Sequence, residues 1–397
     1  MKNKKRWRMF PAYSDRMLSL AILGLTFFGI LMIVSAEMSR VAGDNGVIVR
    51  TVFRQFFYAM AALIMLSLCS KHSVFQLREI FLRYGFWFML FLLVLPRLFS
   101  PLGGAYAWIR LGGFTIQPSE FAKVFLIIYF SRLLAREEGP EKNRQMFWHL
   151  VRVGLAFFGV ILFIEKDFGS ALVLLGIGFV MLFVSRHPGT ERHHRYMLLA
   201  LLFIGVLSLI ILSPMATKIM EKSGDYRLQR FVSSANPFLD PYGSGYHLIM
   251  SLVSFANGGL FGLGYGNSIH KYMNFANPSS DFILAIIVEE LGFVWGMLPI
   301  VIMYGIIFYT FMHYSLLMKR ERSRLVLVGV FMYFCLHFVL NVGGVSGLIP
   351  LTGVPLLILS SGGTSLVAAL TAVGIAQNEI ILYRKEIAEN ENSIRTI

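Results

Sequence analysis

Asp281 is the residue of this sequence best placed to do chemistry, because a long polar stretch at 214–280 meets an apolar segment there. A carboxylate at such a partly dehydrated boundary has a raised proton affinity and can act as a general base on a hydroxyl group. The position also suits an N-terminal helix cap, for which Ser279 and Ser280 compete. One side chain can do both, so the sequence leaves both roles open.

Glu120, Lys123, Glu289 and Glu290 also lie within apolar segments, where a charge costs about 2.5 to 3.5 kcal/mol on insertion scales. Glu120 and Lys123 are three residues apart, a spacing that allows an ion pair on one face of a helix. Glu289 and Glu290 lie about 80° and 180° around the helix from Asp281, at 100° per residue. We therefore expect each to take part in a structural ion pair or to face a water-filled cavity.

Basic loop residues could bind a pyrophosphate, because guanidinium forks and ammonium groups match phosphate oxygens. The candidates are Arg110, Arg227, Arg230 and Lys271. For any single one of them, an exposed loop charge is the simpler interpretation. The polar stretch also holds Asp240 and a glycine run at 258–266 that superficially resembles a nucleotide loop. No βαβ pattern surrounds the run, so we interpret it as flexible backbone near a lipid head group.

Histidines and cysteines form no recognisable metal motif in this sequence. There is no HExxH or CxxC spacing, and Cys69 and Cys335 are far apart in or beside apolar segments. A disulfide framework is not indicated, and we expect the two cysteines to be packing or lipid-facing residues. Metal ligands therefore stay unassigned.

Ten apolar segments must position these side chains. They lie at residues 17–36, 52–69, 80–98, 119–135, 147–163, 169–185, 195–213, 284–312, 325–345 and 352–378. About 20 residues at 1.5 Å rise cross a ~30 Å hydrocarbon core, so each segment is interpreted as a spanning helix. Hydrophobic residues make up 56% of the chain and charged residues 15%, which excludes an ordinary soluble globule. We predict an all-α, polytopic protein with ten transmembrane helices in a single membrane domain, residues 1–397.

The distribution of charge predicts the orientation. A net charge of +14 could suggest nucleic acid, but the basic residues concentrate on one side of the segments, at 1–16, 71–83, 132–152, 186–195 and 319–324. This positive-inside pattern predicts that the N-terminus and the tail at 384–397 are cytoplasmic, and that the loop at 214–280 is extracytoplasmic. Membrane lipids, and no nucleic acid, are the expected partners.

A second, shorter outside loop is predicted at 100–117, where four glycines surround Trp108. This composition favours an irregular loop at the membrane interface. A helix should start directly after it, because Pro118 suits the first helical position and Glu120 the positive end of the helix dipole.

Several stretches together resemble the shape, elongation, division and sporulation (SEDS) family of RodA- and FtsW-type proteins. The resemblance runs in order from the first segment to the last. Its motifs are Trp-Ile-Arg-Leu-Gly at 108–112, Gln-Pro-Ser-Glu-Phe-Ala-Lys at 117–123, Asp-Phe-Gly-Ser-Ala-Leu at 167–172, Asn-Pro-Phe-Leu-Asp-Pro-Tyr-Gly-Ser-Gly-Tyr at 236–246, Gly-Gly-Leu-Phe-Gly at 258–262, Asp-Phe-Ile-Leu-Ala-Ile-Ile-Val-Glu-Glu-Leu-Gly at 281–292, Gly-Val-Pro-Leu at 353–356 and Ser-Gly-Gly-Thr-Ser at 361–365.

The resemblance implies a ten-helix peptidoglycan glycosyltransferase that polymerises lipid II on the outer face of the bacterial cytoplasmic membrane. Its expected partner is a class B penicillin-binding protein with transpeptidase activity. Asp281 matches the family's essential loop aspartate. Other motif positions are matched by Trp108, Glu120, Lys123, Asp167, Arg230 and Glu290. Of these, Trp108, Lys123 and Arg230 are expected to contact substrate, whereas Glu120, Asp167 and Glu290, with Asp240 and Glu289, are expected to support the site.

The chain departs from the family's common pattern at several positions. Ala107 stands where arginine is common, and Glu165-Lys166 where Gln-Pro often precedes the motif aspartate. His247 and Met250 replace frequent glutamines, and residues 277–280 replace a Pro-Glu-x-x-Thr approach to Asp281. These changes bear on substrate contacts and on whether the role is in elongation or division.

The mechanism implied is inverting. Asp281 would deprotonate the GlcNAc 4-hydroxyl of an acceptor lipid II, which attacks the anomeric carbon of a lipid-linked donor chain and releases undecaprenyl pyrophosphate. Basic loop residues, or a divalent cation, would offset the pyrophosphate charge. Two alternatives stay open: a lipid II flippase, which needs a polar path to the cytoplasmic face, and a non-catalytic scaffold for a transpeptidase.

Overall fold

The computed structural model describes residues 11, 13–38, 46–74, 79–112, 114–136, 139–191, 193–211, 232–273, 275 and 277–395. Its first eight helices are α1 (Arg16–Glu37), α2 (Gly46–Lys71), α3 (Glu79–Val94), α4 (Pro118–Leu134), α5 (Pro140–Gly159), α6 (Phe168–Val184), α7 (Pro188–Glu191) and α8 (His194–Ile211). The later helices are α9 (Tyr246–Gly258), α10 (Ile283–Gly292), α11 (Leu298–Leu317), α12 (Glu321–Val345) and α13 (Gly363–Arg395). Shorter 3-10 or π segments follow three of them, at Leu95–Leu98, Val160–Glu165 and Phe293–Met297.

Local sequence explains where several helices begin. Asp15 and Asp167 cap α1 and α6, each by accepting a hydrogen bond at 3.0 Å from the backbone N–H three residues further on. α4 begins at Pro118 with Glu120 in its first turn, which confirms the predicted helix start. Proline costs nothing there because its missing N–H would have no partner within the helix.

The helices pack around α12, which contacts α4, α6 and α11, while α13 lies along α2. The approach of α13 to α2 is close: a Cβ at Gly374 would lie 2.8 Å from the carbonyl oxygen of Leu66. Large fully buried side chains fill the space between the helices, among them Phe130, Phe157, Tyr304, Phe311 and Tyr333. The bundle therefore has one continuous core, formed mainly by apolar side chains.

Six helices of the described chain are long and apolar enough to cross a membrane. They are Arg16–Glu37, Ile48–Lys71, Glu141–Glu165, Ile283–Leu317, Glu321–Val345 and Gly363–Ser393. Phe168–Val184 and His194–Phe203 are shorter apolar helices, and α3 and α4 occupy the two other predicted segments. Each of the ten apolar segments thus contains helix. A count of ten crossings and the side that each loop faces stay predictions.

The last predicted segment, 352–378, is only partly helical, because α13 begins at Gly363. Residues 351–362 run as irregular chain through the bundle, and side chains of neighbouring helices bind their carbonyl oxygens. Tyr304 donates to Leu357 O at 2.5 Å and Asn341 to Val354 O at 2.9 Å. Non-helical backbone in apolar surroundings needs such donors, since lipid supplies none.

The two loops predicted to lie outside the membrane are more ordered than the sequence predicts. Residues 100–117 contain a small antiparallel hairpin, β1 (Ile109–Leu111) and β2 (Phe114–Ile116), in which Arg110 opposes Thr115. The chain is otherwise mostly helical, so the predicted helical class holds with the addition of this short hairpin. Within 214–280, residues 214–231, 274 and 276 lie outside the described part, and the rest includes α9 and two 3-10 turns, Pro237–Leu239 and His270–Tyr272.

Candidate active site around Asp281

Asp281 lies on a turn just before α10, and its backbone is held by α12. Asn341 donates through Nδ2 to the carbonyl oxygen of Asp281 at 2.9 Å and also to that of Val354. The Asp281 carboxylate is half-buried and accepts a hydrogen bond from Ser280 Oγ at 3.1 Å. No side chain caps α10, whose N-cap residue is Phe282. The helix-cap interpretation of Asp281 is therefore wrong.

The turn before Asp281 is clamped between the end of α1 and the irregular segment 351–362. Ser279 donates to Glu37 Oε1 at 2.5 Å, and its carbonyl oxygen accepts from the Ser361 N–H at 2.8 Å. Ser360 Oγ donates to Ser280 O at 2.9 Å. Three separated parts of the chain thus fix the backbone next to Asp281, so the carboxylate projects from a rigid support.

On the other side of the Asp281 carboxylate, the backbone of Gly353 lies close to the carboxylate oxygens. Its φ of +70° is a conformation that favours glycine, and a Cβ there would lie 3.9 Å from Asp281 Oδ2. A side chain at this position would be strained and would touch the carboxylate. The glycine therefore keeps the approach to Asp281 open.

Gln117 and Asp167 extend this polar end of the bundle towards α4 and α6. Gln117 donates through Nε2 to Asp167 Oδ2 at 3.0 Å, and its N–H donates to Thr364 Oγ1 at 3.3 Å. Both carboxylate oxygens of Asp167 therefore accept a hydrogen bond, since Oδ1 caps α6. The geometry fits the supporting role expected of Asp167. It ties together the starts of α4, α6 and α13.

Glu120 and Lys123 form the predicted ion pair, with 2.8 Å between Lys123 Nζ and Glu120 Oε1 and no exposed side-chain surface. Tyr333 donates to Glu120 Oε2 at 2.7 Å, and Lys123 Nζ is 3.2 Å from His337 Nε2. His337 also contacts Pro355 O at 2.9 Å through Nδ1. This network joins α4, α12 and the irregular segment inside the bundle.

Glu289 and Glu290 are buried and bind the preceding loop, Glu289 through a hydrogen bond with a histidine and Glu290 through an ion pair, which agrees with the structural alternative. Glu289 Oε1 is 2.6 Å from His270 Nδ1, and Glu290 Oε1 is 2.8 Å from Lys271 Nζ. Glu290 also accepts from Ser35 Oγ and from the Gly266 N–H. These contacts fasten residues 259–273 onto α10 and α1.

Glycines make this fastening possible. A Cβ at Gly258 would lie 1.9 Å from Val288 O, and one at Gly262 would lie 2.3 Å from Glu290 O. Both distances are shorter than any van der Waals contact, so only glycine fits. The interpretation of the 258–266 run as flexible backbone near a lipid head group is wrong for these two positions, which pack against α10.

The predicted substrate residues fall into different environments. Lys123 and Lys271 have no exposed side-chain surface, so either could reach a phosphate only by leaving its carboxylate. Trp108 is half-buried beside β1, and Arg110 donates to Ser100 O at 3.2 Å. Asp240 is exposed and accepts from Ser244 N at 2.7 Å, which closes its own turn. Arg227 and Arg230 lie outside the described residues.

The His247 side chain lies outside the spanning helices, near the turn that carries Asp281. Its ring centroid is 6.0 Å from that of Phe282 and 6.2 Å from that of Phe275. Burial against these rings lowers the pKa of His247 below its usual value. Within the described chain no group of three or more His, Cys, Asp or Glu side chains could hold a metal ion.

Some residues of the site are not among those that the sequence singled out. Glu37 and Asn341 each bind the turn that carries Asp281. Ser361, the first residue of the 361–365 motif, binds the same turn. The available signal was a polar residue at the end of, or inside, an apolar segment. That signal marks a buried polar contact but does not say which distant part of the chain provides it.

The chain matches the model of the FtsW, RodA and SpoVE family of cell cycle proteins over residues 15–384, and it belongs to that family of polytopic membrane proteins. The SEDS resemblance is thereby confirmed. The chain is 34% identical over 295 residues to stage V sporulation protein E of Bacillus subtilis (strain 168), which covers 74% of this chain and 76% of that protein. It is 32% identical over 383 residues to the probable peptidoglycan glycosyltransferase FtsW of the same organism, covering 94% and 91%.

Solved structures share the fold. One is a chain from work on the structural coordination of polymerization and crosslinking by a peptidoglycan synthase complex, with a TM-score of 0.70, 25% identity and coverage of 93% of this chain and 98% of that one. Another is the rod shape determining protein RodA of Thermus thermophilus, with a TM-score of 0.63, 24% identity and coverage of 94% and 97%.

Proposed function

We propose that this protein is a peptidoglycan glycosyltransferase that polymerises lipid II on the outer face of the bacterial cytoplasmic membrane, in elongation or division. The observation that carries the proposal is the setting of Asp281: a half-buried carboxylate on a clamped turn at one end of an apolar bundle. The family relatives named as peptidoglycan glycosyltransferases support the substrate class.

Asp281 is the general base in the proposed reaction. Its carboxylate takes the proton of the GlcNAc 4-hydroxyl of an acceptor lipid II as that oxygen attacks the anomeric carbon of the donor. A new glycosidic C–O bond forms, the bond from the anomeric carbon to the phosphate oxygen breaks, and undecaprenyl pyrophosphate leaves with its electron pair. Attack from the face opposite the leaving group inverts the anomeric configuration.

Rigid support explains how a single carboxylate can be effective. The lipid tails of donor and acceptor would lie in the bilayer beside the helices, so the reacting sugars meet Asp281 at the end of the bundle. The clamps on residues 279–281 hold the base in place before substrate arrives, and positioning of this kind supplies much of the rate in group transfer. Loop cations, among them Arg110, Arg227 and Arg230, or a divalent cation would meet the pyrophosphate charge.

The test is lipid II polymerisation by purified protein, alone and with a class B penicillin-binding protein as transpeptidase partner. We expect glycan chains from the wild type and none from Asp281→Asn, whereas Glu389→Gln, an exposed carboxylate variant at the far end of α13, should match the wild type. Product of normal amount and length from Asp281→Asn would remove this residue from the mechanism.

The same assay separates the alternatives. If the wild type makes no glycan with an authentic partner but moves labelled lipid II across vesicles, a flippase is the better description. If it does neither but raises the activity of the transpeptidase, it is a scaffold. Cysteine labelling of an otherwise cysteine-free protein in intact cells, at residue 242 and at residue 389, tests whether Asp281 faces outward: residue 242 should label and residue 389 should not.

A further inference from the structure

A cationic cluster lies at the same end of the bundle as Asp281 but takes no part in the proposed reaction. The guanidinium carbon of Arg97 stands 3.9 Å from the ring centroid of Tyr106, and Lys166 Nζ lies 5.9 Å from the same centroid. Arg97 and Lys166 are both exposed. Two positive charges therefore share one aromatic ring, which holds them side by side.

The three residues come from parts of the chain that pack together. Arg97 is in the 3-10 turn Leu95–Leu98 after α3, and this turn packs against the π segment Val160–Glu165 after α5. The Tyr106 N–H donates to Glu165 O at 2.7 Å, which fixes the ring beside Lys166. The cluster is thus a built arrangement and not a chance meeting of loop side chains.

Lys166 adopts a conformation that a lysine does not favour. Its φ and ψ of 58° and 30° are left-handed, and a residue with a Cβ is strained there. Such strain persists where the surrounding structure enforces it, often at sites that bind a ligand. Among the described residues, neither Lys166 nor Arg97 forms an ion pair with a carboxylate. Within that part of the chain, no carboxylate neutralises either charge.

The surface next to the cluster is strongly apolar. Leu98, Phe163 and Phe168 are 80%, 75% and 52% exposed, and they adjoin Arg97 and Lys166 along the chain. A small soluble anion would bury none of this apolar surface, whereas a lipid would pack its hydrocarbon chains against it. Arginine and lysine beside an interfacial tyrosine are the side chains that bind lipid phosphate.

We propose that Arg97 and Lys166, held on Tyr106, form a binding site for the phosphate group of a membrane amphiphile whose hydrocarbon chain lies along Leu98 and Phe163. Two sources share this chemistry: an anionic phospholipid and a polyprenyl pyrophosphate. The site does not include Asp281, so it goes beyond the proposed function and stands even if the chain makes no glycan.

The first experiment measures lipids retained by the full-length protein in native mass spectrometry, from an equimolar mixture of phosphatidylglycerol and phosphatidylcholine. The wild type should retain phosphatidylglycerol preferentially. Arg97→Gln/Lys166→Gln should lose this preference by roughly five-fold for each cation removed. Arg320→Gln/Lys385→Gln removes the same charge from exposed positions at the other end of the protein and should leave the preference unchanged.

The ring provides a test that leaves the net charge unaltered. Tyr106→Phe should keep the preference and Tyr106→Leu should reduce it, because only the aromatic face orients the cations. A thermal melt of each variant shows that it is folded. In a second arm, undecaprenyl pyrophosphate is added to the lipid-loaded protein: displacement of phosphatidylglycerol from the wild type but not from the double variant assigns the site to the pyrophosphate, and no displacement assigns it to the phospholipid.

Two results would overturn the proposal. One is equal retention of phosphatidylglycerol and phosphatidylcholine by the wild type, with no binding of undecaprenyl pyrophosphate. The other is a preference that falls as much in Arg320→Gln/Lys385→Gln as in Arg97→Gln/Lys166→Gln, since that would trace it to net charge. Glycan synthesis measured on the same samples keeps this outcome separate from the fate of the catalytic proposal.

Discussion

Asp281 and Glu290 lie nine residues apart, yet their surroundings are opposite. Glu290 is fully enclosed, paired to Lys271 and hydrogen-bonded by Ser35 and the Gly266 N–H. Asp281 is half-buried on a turn whose backbone is held by Asn341, and its carboxylate accepts a hydrogen bond from Ser280. The difference separates two uses of an acid in a membrane protein. A fully buried, ion-paired carboxylate fastens the chain, whereas a half-buried carboxylate on a fixed backbone can exchange a proton with a substrate.

The largest effect that this contrast predicts is on activity. Asp281→Asn removes the base and should lower lipid II polymerisation by about 10²- to 10⁴-fold. Because Asp281 does not cap α10, the free energy of unfolding should change by less than about 1 kcal/mol. Polymerisation and a thermal melt on the same preparation measure both quantities. A large drop in melting temperature would show that the residue is structural after all.

The next effect is on stability. Glu290→Gln leaves the buried Lys271 ammonium without its countercharge, which should cost about 3 to 5 kcal/mol. The melting temperature of the detergent-purified protein reports this loss. Glu290→Gln combined with Lys271→Met removes both charges and should recover much of it. If the double variant were less stable than Glu290→Gln, the ion pair would not be the reason for the loss.

A smaller effect should follow from freeing the backbone of Asp281. Asn341→Ala removes two hydrogen bonds, to Asp281 O and to Val354 O, and should cost about 1 to 3 kcal/mol of stability. We expect polymerisation to fall roughly ten-fold as well, since the base is no longer held in place. Ser251→Ala is the control, because it removes one buried hydrogen bond to Val345 O elsewhere on α12. Equal activity in the two variants would contradict the positioning role.

The smallest effect concerns pH. Burial lowers the pKa of His247 in the folded protein, so the folded state binds fewer protons than the unfolded state as pH falls below about 6.5. The stability that comes from keeping His247 neutral is therefore complete above that pH, and it is lost as the pH falls further below it. The melting temperature should therefore decrease from pH 7.5 to pH 5.5 by less in His247→Gln than in the wild type. Identical slopes would mean that His247 does not contribute.

Contacts within one helix could be predicted from the sequence, and contacts across the fold could not. The spacing of Glu120 and Lys123 was enough to predict their ion pair, because both lie on one turn of α4. Lys271 and Glu290 were both singled out, but not as partners, since the chain between them leaves and re-enters the bundle. The close contacts of Gly258 and Gly262 with α10 help to bring the two together.

The irregular segment shows a second limit. Residues 351–362 have the composition of a spanning helix, and the apolar pattern predicts one. Pro350 and Pro355, with the positive φ of Gly353, prevent it. Irregular chain is stable at this place because Tyr304, His337 and Asn341 bind its carbonyl oxygens. Those donors are on other helices, so hydropathy alone does not reveal them.

This segment also has a consequence for biogenesis. Residues 351–362 cannot pass alone from the insertion machinery into lipid, because carbonyl groups such as those of Val354 and Leu357 would have no donors. α11 and α12, which carry the donors, must already be packed together, so α13 is expected to be the last helix to pack into the bundle. A Tyr304→Phe/Asn341→Ala chain followed during synthesis should leave α13 sensitive to protease for longer than the wild type, while α1 to α6 become resistant on the same schedule.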